Sequence, residues 1–526
     1  MASKVRKNFH QARWDEPIIY EMSNPGVKGI DVPNVEEEIK NEVGDVLSEL
    51  PNKLQRTEYT NLPEVSQKHV LQHYLHLSQE TLGSNLSNDI SQGTCTMKYN
   101  PKIHEGFVSN PKFAFIHPDQ PEETMQGVLE IYYKLGEMIK AISGLDKVSF
   151  QPVGGNQAIF MAAKMVQAYH QANGEADKRD EIITTMLSHP ANAAAPATAE
   201  YKVINIYPDD QGLPDFEAIK EAVSDRTAAI FITNPEDTGL FNPDIDKIVK
   251  MVHDVGGLCY YDQANANGFL GITRAKEAGF DFSHFNLHKT FSSPHGGSGP
   301  GGAALACSEE LAKFLPVPVI EYDEDSDKYY FVEDLPNSVG KIKDFFGNMS
   351  AVLRAYSWIM TMGPDGLKET ADISILNNNY FYHKIRKEVP DLAISHEENE
   401  ARRLEQVRYT WAKLKEKTGV GSSDIQRRVA DYGIQHYFQS HHPFLIPEPM
   451  TLEPCETYSK DDLDEYIEVL KEINNEALEN PEKVKESPYK TAGIKDTKSL
   501  SLAQKDIWAL TWRAYLKKTK SKENRN

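Results

Sequence analysis

"TAAIFITNPEDTGLFNPDIDKIVKMVHDVGGLCYYDQANANG", residues 227–268, decides how the rest of the chain is read. It opens on a short apolar run, turns through Asn, Pro and Asp, and continues into "PDIDKIVKMVHDVG", whose apolar residues recur at helical spacing. A second apolar run, "GLCYYDQANANG", follows. Strand, helix and strand in that order predict a crossover unit with parallel strands. Outward from it the alternation continues. "DKVSFQPVGG", "DEIITTMLSHP", "YKVINIYP" and "GFDFSHFNLHKTF" read as strands, and "QAIFMAAKMVQAYHQA" and "LPDFEAIKEAV" as helices. The predicted architecture is α/β with a mostly parallel sheet, and in such sheets ligands sit outside the carboxyl ends of the strands.

Polar residues fall at those ends. Asp262 closes one buried run, where an unpaired carboxylate is costly. Lys289 closes another and His189 a third, while Gly154 and Gly155 precede a helix that begins at Asn156 and Gln157. Each alone has a structural explanation, as a cap, a satisfied histidine or a plain turn. Together, in one α/β unit, they supply what pyridoxal 5'-phosphate requires of a protein. A lysine can form a Schiff base with it, an acid can face its pyridine nitrogen, a helix N-terminus can cradle its phosphate, and a flat imidazole can cover its ring.

Two rival readings are weaker. Gly297–Gly302 matches G-x-G-x-x-G, but Pro300 lies inside it and a strand-like run, "GAALAC", follows in place of a helix. His284, His288 and His295 lack a fourth ligand at metal-site spacing, and His441 and His442 are adjacent, so no metal is expected.

The whole chain sets bounds on function. Its 526 residues carry 57 Lys and Arg against 78 Asp and Glu, a net charge of −21, which argues against a nucleic-acid-binding surface. Four scattered cysteines (Cys95, Cys259, Cys307, Cys455) give no disulfide framework. No apolar run is long enough for a membrane span and the N-terminus lacks a secretory h-region, so a cytoplasmic enzyme is expected. The expected organisation is an N-terminal extension and helical arm (1–130), a large α/β cofactor domain (131–335), a small α+β domain (336–490) and a tail (491–526). "EENEARRLEQVRYTWAKL" reads as a solvated surface helix.

At "NLHKTFSSPHGGSGPG" the chain resembles the glycine cleavage system P-protein (glycine dehydrogenase, decarboxylating), in its C-terminal half or separate subunit 2. "SQGTCTMKYNPKI", "HPDQPEETMQG", "TNPEDTGLF", "DFFGNMSAVLRAYSWI" and "LEPCETYSK" match in the same order, over roughly residues 15–490. The resemblance implies pyridoxal-phosphate fold type I, aspartate aminotransferase-like. It implies that Lys289 holds the cofactor, His189 stacks on its ring and Asp262 faces its nitrogen. Gly154, Gly155, Asn156 and Gln157 would hold the phosphate, with His288 and Thr290 close by. Thr96, Lys98, Asn265, His295 and Gly297 would belong to substrate-facing loops. The implied reaction is glycine decarboxylation with transfer of the aminomethyl group to the lipoyl arm of H-protein, beside a subunit 1 in a two-plus-two heterotetramer.

Four motifs depart from the family pattern. Ser188-His189-Pro190-Ala191-Asn192 stands for A-H-G-T-N, Gly155-Asn156-Gln157-Ala158-Ile159 for G-A-Q-G-E, and residues 262–268 for D-G-A-N-L-N-A, while Ser298 replaces a glycine. They leave open a stand-alone pyridoxal-phosphate enzyme for another small amino acid, or a catalytically weak assembly subunit.

Overall fold

The computed structural model describes residues 5–14, 16–55, 62–82, 86–91, 99–295, 299–436, 439–442, 444–491 and 516. Met1–Lys7 and Ser84–Ser487 form one compact unit, and Asn8–Gly83 with Pro488–Asn526 form a second.

The first unit is built on seven strands: β1 (Lys147–Ser149), β2 (Glu181–Thr185), β3 (Lys202–Ile206), β4 (Thr227–Thr233), β5 (Leu258–Asp262), β6 (Phe282–Asn286) and β7 (Ala303–Cys307). Their spatial order is β1-β7-β6-β5-β4-β2-β3. β2 to β6 pair in parallel, and β7 runs antiparallel to both β6 and β1. Along β4 and β5 the side chains alternate between two cores. Ile230, Ile232, Cys259 and Tyr261 pack with helices Gln126–Ser143 and Ile245–Asp254. Ala229, Phe231, Leu258 and Tyr260 pack with helices Gly155–Ala172 and Ala191–Thr198. Both faces are covered, so these strands read as continuous apolar runs rather than as alternating ones.

A two-stranded hairpin, β8 (Val319–Asp323) and β9 (Lys328–Val332), follows the large sheet. Helix Met349–Glu388 then breaks at Gly363, whose φ of 65° precedes Pro364. Its first part packs into the large-sheet core through Val352, Ala355 and Trp358. Its last part, through Phe381 and Ile385, packs into a separate core built on β10 (Ala393–Ile394), β11 (Val407–Thr410), β12 (Pro449–Leu452) and helix Lys460–Glu479. These three strands form an antiparallel sheet.

The charged stretch expected as a solvated helix is not one. It is an extended segment leading into β11, followed by the short helix Ala412–Thr418. Arg403 is buried and donates to the carbonyls of Thr238, Ser395 and His396. Backbone carbonyls take the place of water around its charge, which is how Arg403 can lie inside while Glu397, Glu398, Glu400 and Arg402 stay exposed. Leu404 N–H donates to Gly239 O at 2.8 Å and the Gln406 amide to Glu236 O at 3.0 Å. The segment is thereby fastened to the loop after β4.

In the second unit, Glu16 pairs with His73 and His76 of helix Gln67–Gln79, and Trp14 stacks on His76. Val65 is buried there, whereas Ile30, Val32, Leu54, Leu71 and Leu75 are exposed. Among the described residues no helix is long and apolar enough to cross a membrane.

Gly239 has φ 75°, and a Cβ added there would lie 1.9 Å from the Gln406 carbonyl oxygen. Gly239→Ala should therefore destabilise the protein by about 2 kcal/mol or more. Chemical denaturation of the two proteins checks this, and equal midpoints would exclude the contact.

Candidate functional site

Register places the central groups. In the parallel pair β5–β6, Tyr260 faces Phe282 and Asp262 faces His284. Alternation puts Asp262 and His284 on the face that carries helix Gly155–Ala172, whose N-terminus points at the carboxyl ends of these strands. That helix starts behind Gly154, which is extended and gives no side-chain cap. A Cβ added at Gly155 would lie 3.0–3.1 Å from atoms of Asn286 and His284, so a larger residue could bring no backbone this close. The first N–H groups of a helix have no intrahelical acceptor and carry partial positive charge.

A cavity of about 230 Å³ opens at this point. Gly155, Asn156, His189, Asp262, Asn265, His288 and Lys289 all line it, so the structure brings together seven of the residues singled out from the sequence. Gly154, Gln157, Thr290 and His295 are not among its lining. Gln157 uses its side chain locally, accepting from Val153 N–H at 2.9 Å and donating to Ile342 O. Thr290 accepts from Ala266 N–H and donates to Asn265, bracing the loop after β5. His295 lies edge-on to His288, with ring centroids 5.0 Å apart. Thr96, Lys98 and Gly297, with Ser298, lie outside the described residues.

Asp262 is buried yet well supplied with donors. The Asn192 amide reaches it at 2.7 Å, Ala264 N–H at 3.1 Å, and His284 Nε2 lies 3.6 Å away. Burial by itself would raise this carboxyl. The flanking His284 and His189 and the two hydrogen bonds outweigh burial and hold it below its ordinary value. His189 shows the opposite balance. Burial, with His441 and Lys289 beside it, pushes the ring down to about 4, so it is neutral at pH 7. Its Nδ1 accepts from Ala191 N–H at 3.1 Å. His288 is pushed down to about 3, again chiefly by burial, and its Nδ1 lies 3.0 Å from Gly302 O.

Sequence reasoning missed part of the wall. His441 meets His189 edge-to-face at 4.7 Å, and its Nδ1 is 3.3 Å from Asp237. Glu405, Gln406 and Glu453 line the cavity as well. Glu405 precedes β11 and Glu453 follows β12, and the pairing Val407↔Leu452 brings those two ends together. The sequence signals were "TNPED", "SHHP" and "LEPCE", none of which advertises a site on its own.

Residues 370–492 match the family model "Glycine dehydrogenase, C-terminal domain", and residues 120–316 match "Aminotransferase class-V". A protein of Pyrococcus abyssi named "Probable glycine dehydrogenase (decarboxylating) subunit 2" is 42% identical over 507 residues, covering 96% of this chain and 98% of that one. The chain belongs to the glycine dehydrogenase (decarboxylating) subunit 2 family. A protein of the same name from Caldanaerobacter subterraneus is 40% identical over 478 residues, covering 90% of this chain and 94% of its own. Among solved structures, a glycine decarboxylase (P-protein) of the glycine cleavage system aligns with TM-score 0.70 and 18% identity, covering 84% of this chain and 100% of that one. An apo cysteine desulfurase of Thermococcus onnurineus aligns with TM-score 0.57 and 16% identity, covering 74% and 96%. These likenesses show the fold, the pyridoxal-phosphate fold type I expected from sequence. As a family member the protein is an enzyme of the glycine dehydrogenase (decarboxylating) type.

A histidine whose folded value lies below its ordinary 6.5 binds its proton more readily in the unfolded chain. His189, pushed down to about 4, thus contributes stability that is present above pH 6.5 and lost as pH falls toward 4. Thermal melts across this range should show a shallower acid-side decline for His189→Asn than for the parent. Identical slopes would contradict the buried, neutral ring.

Proposed function

We propose that this protein binds pyridoxal 5'-phosphate through Lys289 and removes the carboxyl group of glycine as CO₂. The remaining aminomethyl group passes to the lipoyl arm of H-protein, in the cytoplasm and beside a subunit 1. The observation that carries this reading is the convergence of Lys289, Asp262, His189 and the N-terminus of helix Gly155–Ala172 on one cavity.

The donor set fits the cofactor. The helix N-terminus and Asn156 offer neutral donors to a phosphate dianion. Asp262, kept ionised, suits a protonated ring nitrogen, and neutral His189 can lie flat without repelling it. His284 Nε2 and Asn286 Oδ1 are buried without a hydrogen-bond partner among the described residues, as expected of a site that awaits a polar guest. Once bound, pyridoxal phosphate would supply an electron sink for the bond to the departing carboxyl. The chain's own residues do the rest: Lys289 provides the amine, Asp262 keeps the ring nitrogen protonated, and His189 and His288 close the site as uncharged walls.

A partner is supported by two findings. The relatives are named as subunit 2 of an enzyme, and the second unit presents Ile30, Val32, Leu54, Leu71 and Leu75 to solvent. Exposed apolar residues in such number favour a covered surface in the assembled enzyme, a two-plus-two heterotetramer with subunit 1.

Lys289→Ala should lose the visible absorbance of the cofactor bound as a protonated Schiff base. Wild type that fails to develop that absorbance with added pyridoxal phosphate would defeat the proposal. Asp262→Asn should keep the cofactor yet lose about 10²-fold or more of the glycine–bicarbonate exchange measured with lipoylated H-protein and subunit 1. Near-normal exchange would show that Asp262 is not the acid facing the ring.

A further inference from the structure

Glu405 and Glu453 line the same cavity as Lys289, and the functional reading above gives neither a part in holding the cofactor. Both are buried, with Glu405 3% exposed. The Asn265 amide donates to Glu453, whereas Glu405 Oε2 has no hydrogen-bond partner among the described residues. It rests against Gly268, where an added Cβ would fall 2.0 Å from it. The titratable groups that face Glu405 are Glu453 after β12, Lys289 after β6 and Tyr261 in β5. Two buried carboxyls whose charges interact cannot both ionise cheaply; Glu405 accepts from its own backbone N–H but leaves Oε2 unbonded, so it keeps the proton. Burial, with Glu453 adding to it, accordingly pushes Glu405 up to about 8.

Resting on the functional reading above, we propose that Glu405 is the acid that carries one proton per turnover from the substrate ammonium group to the sulfur released from the lipoyl disulfide. The balance of the reaction requires such a carrier. Glycine enters with three protons on nitrogen and leaves as CO₂ and an amine with two. The methylene carbon forms a C–S bond, and the S–S bond breaks. The electron pair goes to the second sulfur, which needs a proton to leave as a thiol. The disulfide is reduced and the carbon oxidised, so no other oxidant is involved. Glu405 gives its O–H proton to that sulfur and, as a carboxylate, takes one from the next ammonium group. His189 and His288 are too weakly basic for this task, and Asp262 is committed to its donors. An acid with a value near the working pH suits both halves of the transfer.

Infrared spectra of the cofactor-loaded complex near pH 7 should contain a protonated-carboxyl C=O band that disappears in Glu405→Gln. The band of Glu236, another buried carboxyl pushed to about 8, should survive. Aminomethyl transfer to H-protein should fall about 10²-fold in Glu405→Gln. Glycine–bicarbonate exchange should fall less, because it ends with no sulfur to protonate. In wild type, transfer should decline as pH rises through about 8, and Glu405→Asp should restore part of the rate lost in Glu405→Gln. Exchange-competent wild type without a Glu405-dependent band, or equal losses in transfer and exchange, would overturn the acid assignment alone. Wild type without any exchange would overturn the functional reading instead.

Discussion

The organisation of the site follows from one constraint, the ionised carboxyl of Asp262 held almost out of water. A buried carboxylate is tolerable only where hydrogen bonds and positive potential replace its hydration. Three separate pieces of chain meet that need. The register of β5 with β6 sets His284 beside it, the loop after β5 turns the Ala264 N–H back onto it, and helix Ala191–Thr198 delivers the Asn192 amide. The last of these fixes the turn in which His189 lies, three residues upstream. Sheet register and the placement of the His189 imidazole both serve that one charge. A slip of a single residue between β5 and β6 would send His284 to the opposite face and leave the carboxylate unsupported.

The same functional group has the opposite fate a short distance away. Glu405 is as well buried as Asp262 but has a second carboxyl for a neighbour and no donor on Oε2. Glu236 accepts from Thr185 and Ser188, yet two hydroxyls do not offset full burial, and its value also rises to about 8. Neighbouring charge and the supply of donors, rather than depth, sort these acids into ionised and neutral. A site that holds a carboxylate and a carboxylic acid at one pH can fix a positive charge at one end and release a proton at the other.

How much of this was legible in sequence follows from where each residue gets its partners. Strands buried on both faces announce themselves as unbroken apolar runs, so β4, β5 and the α/β class could be read directly. Lys289, Asp262 and His189 stood out because each closes such a run, and Gly155 and Asn156 because glycines precede a helix. Gln157 belonged to the same motif, but its side chain is consumed by Val153 and Ile342, a local choice that spacing does not reveal. Glu405 was hidden for a different reason. It lies in a segment whose charges suggest solvent, and only the carbonyls of Thr238, Ser395 and His396 around Arg403 make its burial possible. Ser395 and His396 lie just upstream of Arg403, but Thr238 comes from the distant loop after β4, so no local pattern encodes the full set. His441 and Glu453 likewise reach the cavity only through the return of the small sheet.

The departures from the family pattern differ in where they point. Gln263 turns away from the cavity and accepts from Ser283 at 2.6 Å, and Pro190 and Ala191 are not among the cavity lining, while Asn192 still serves Asp262. Asn156 and Ile159 do line it, at the end formed by the helix N-terminus. These changes therefore bear on how an anion is seated more than on what approaches Lys289. Gly268 is the exception, because it stands where the family pattern has alanine and touches the acid that we assign to the transfer step. Removing that methyl group gives Glu405 Oε2 its seat against the loop after β5. A neutral acid needs such a seat for an oxygen that accepts no hydrogen bond. The smallest change in the motif is thus the one coupled most directly to the chemistry.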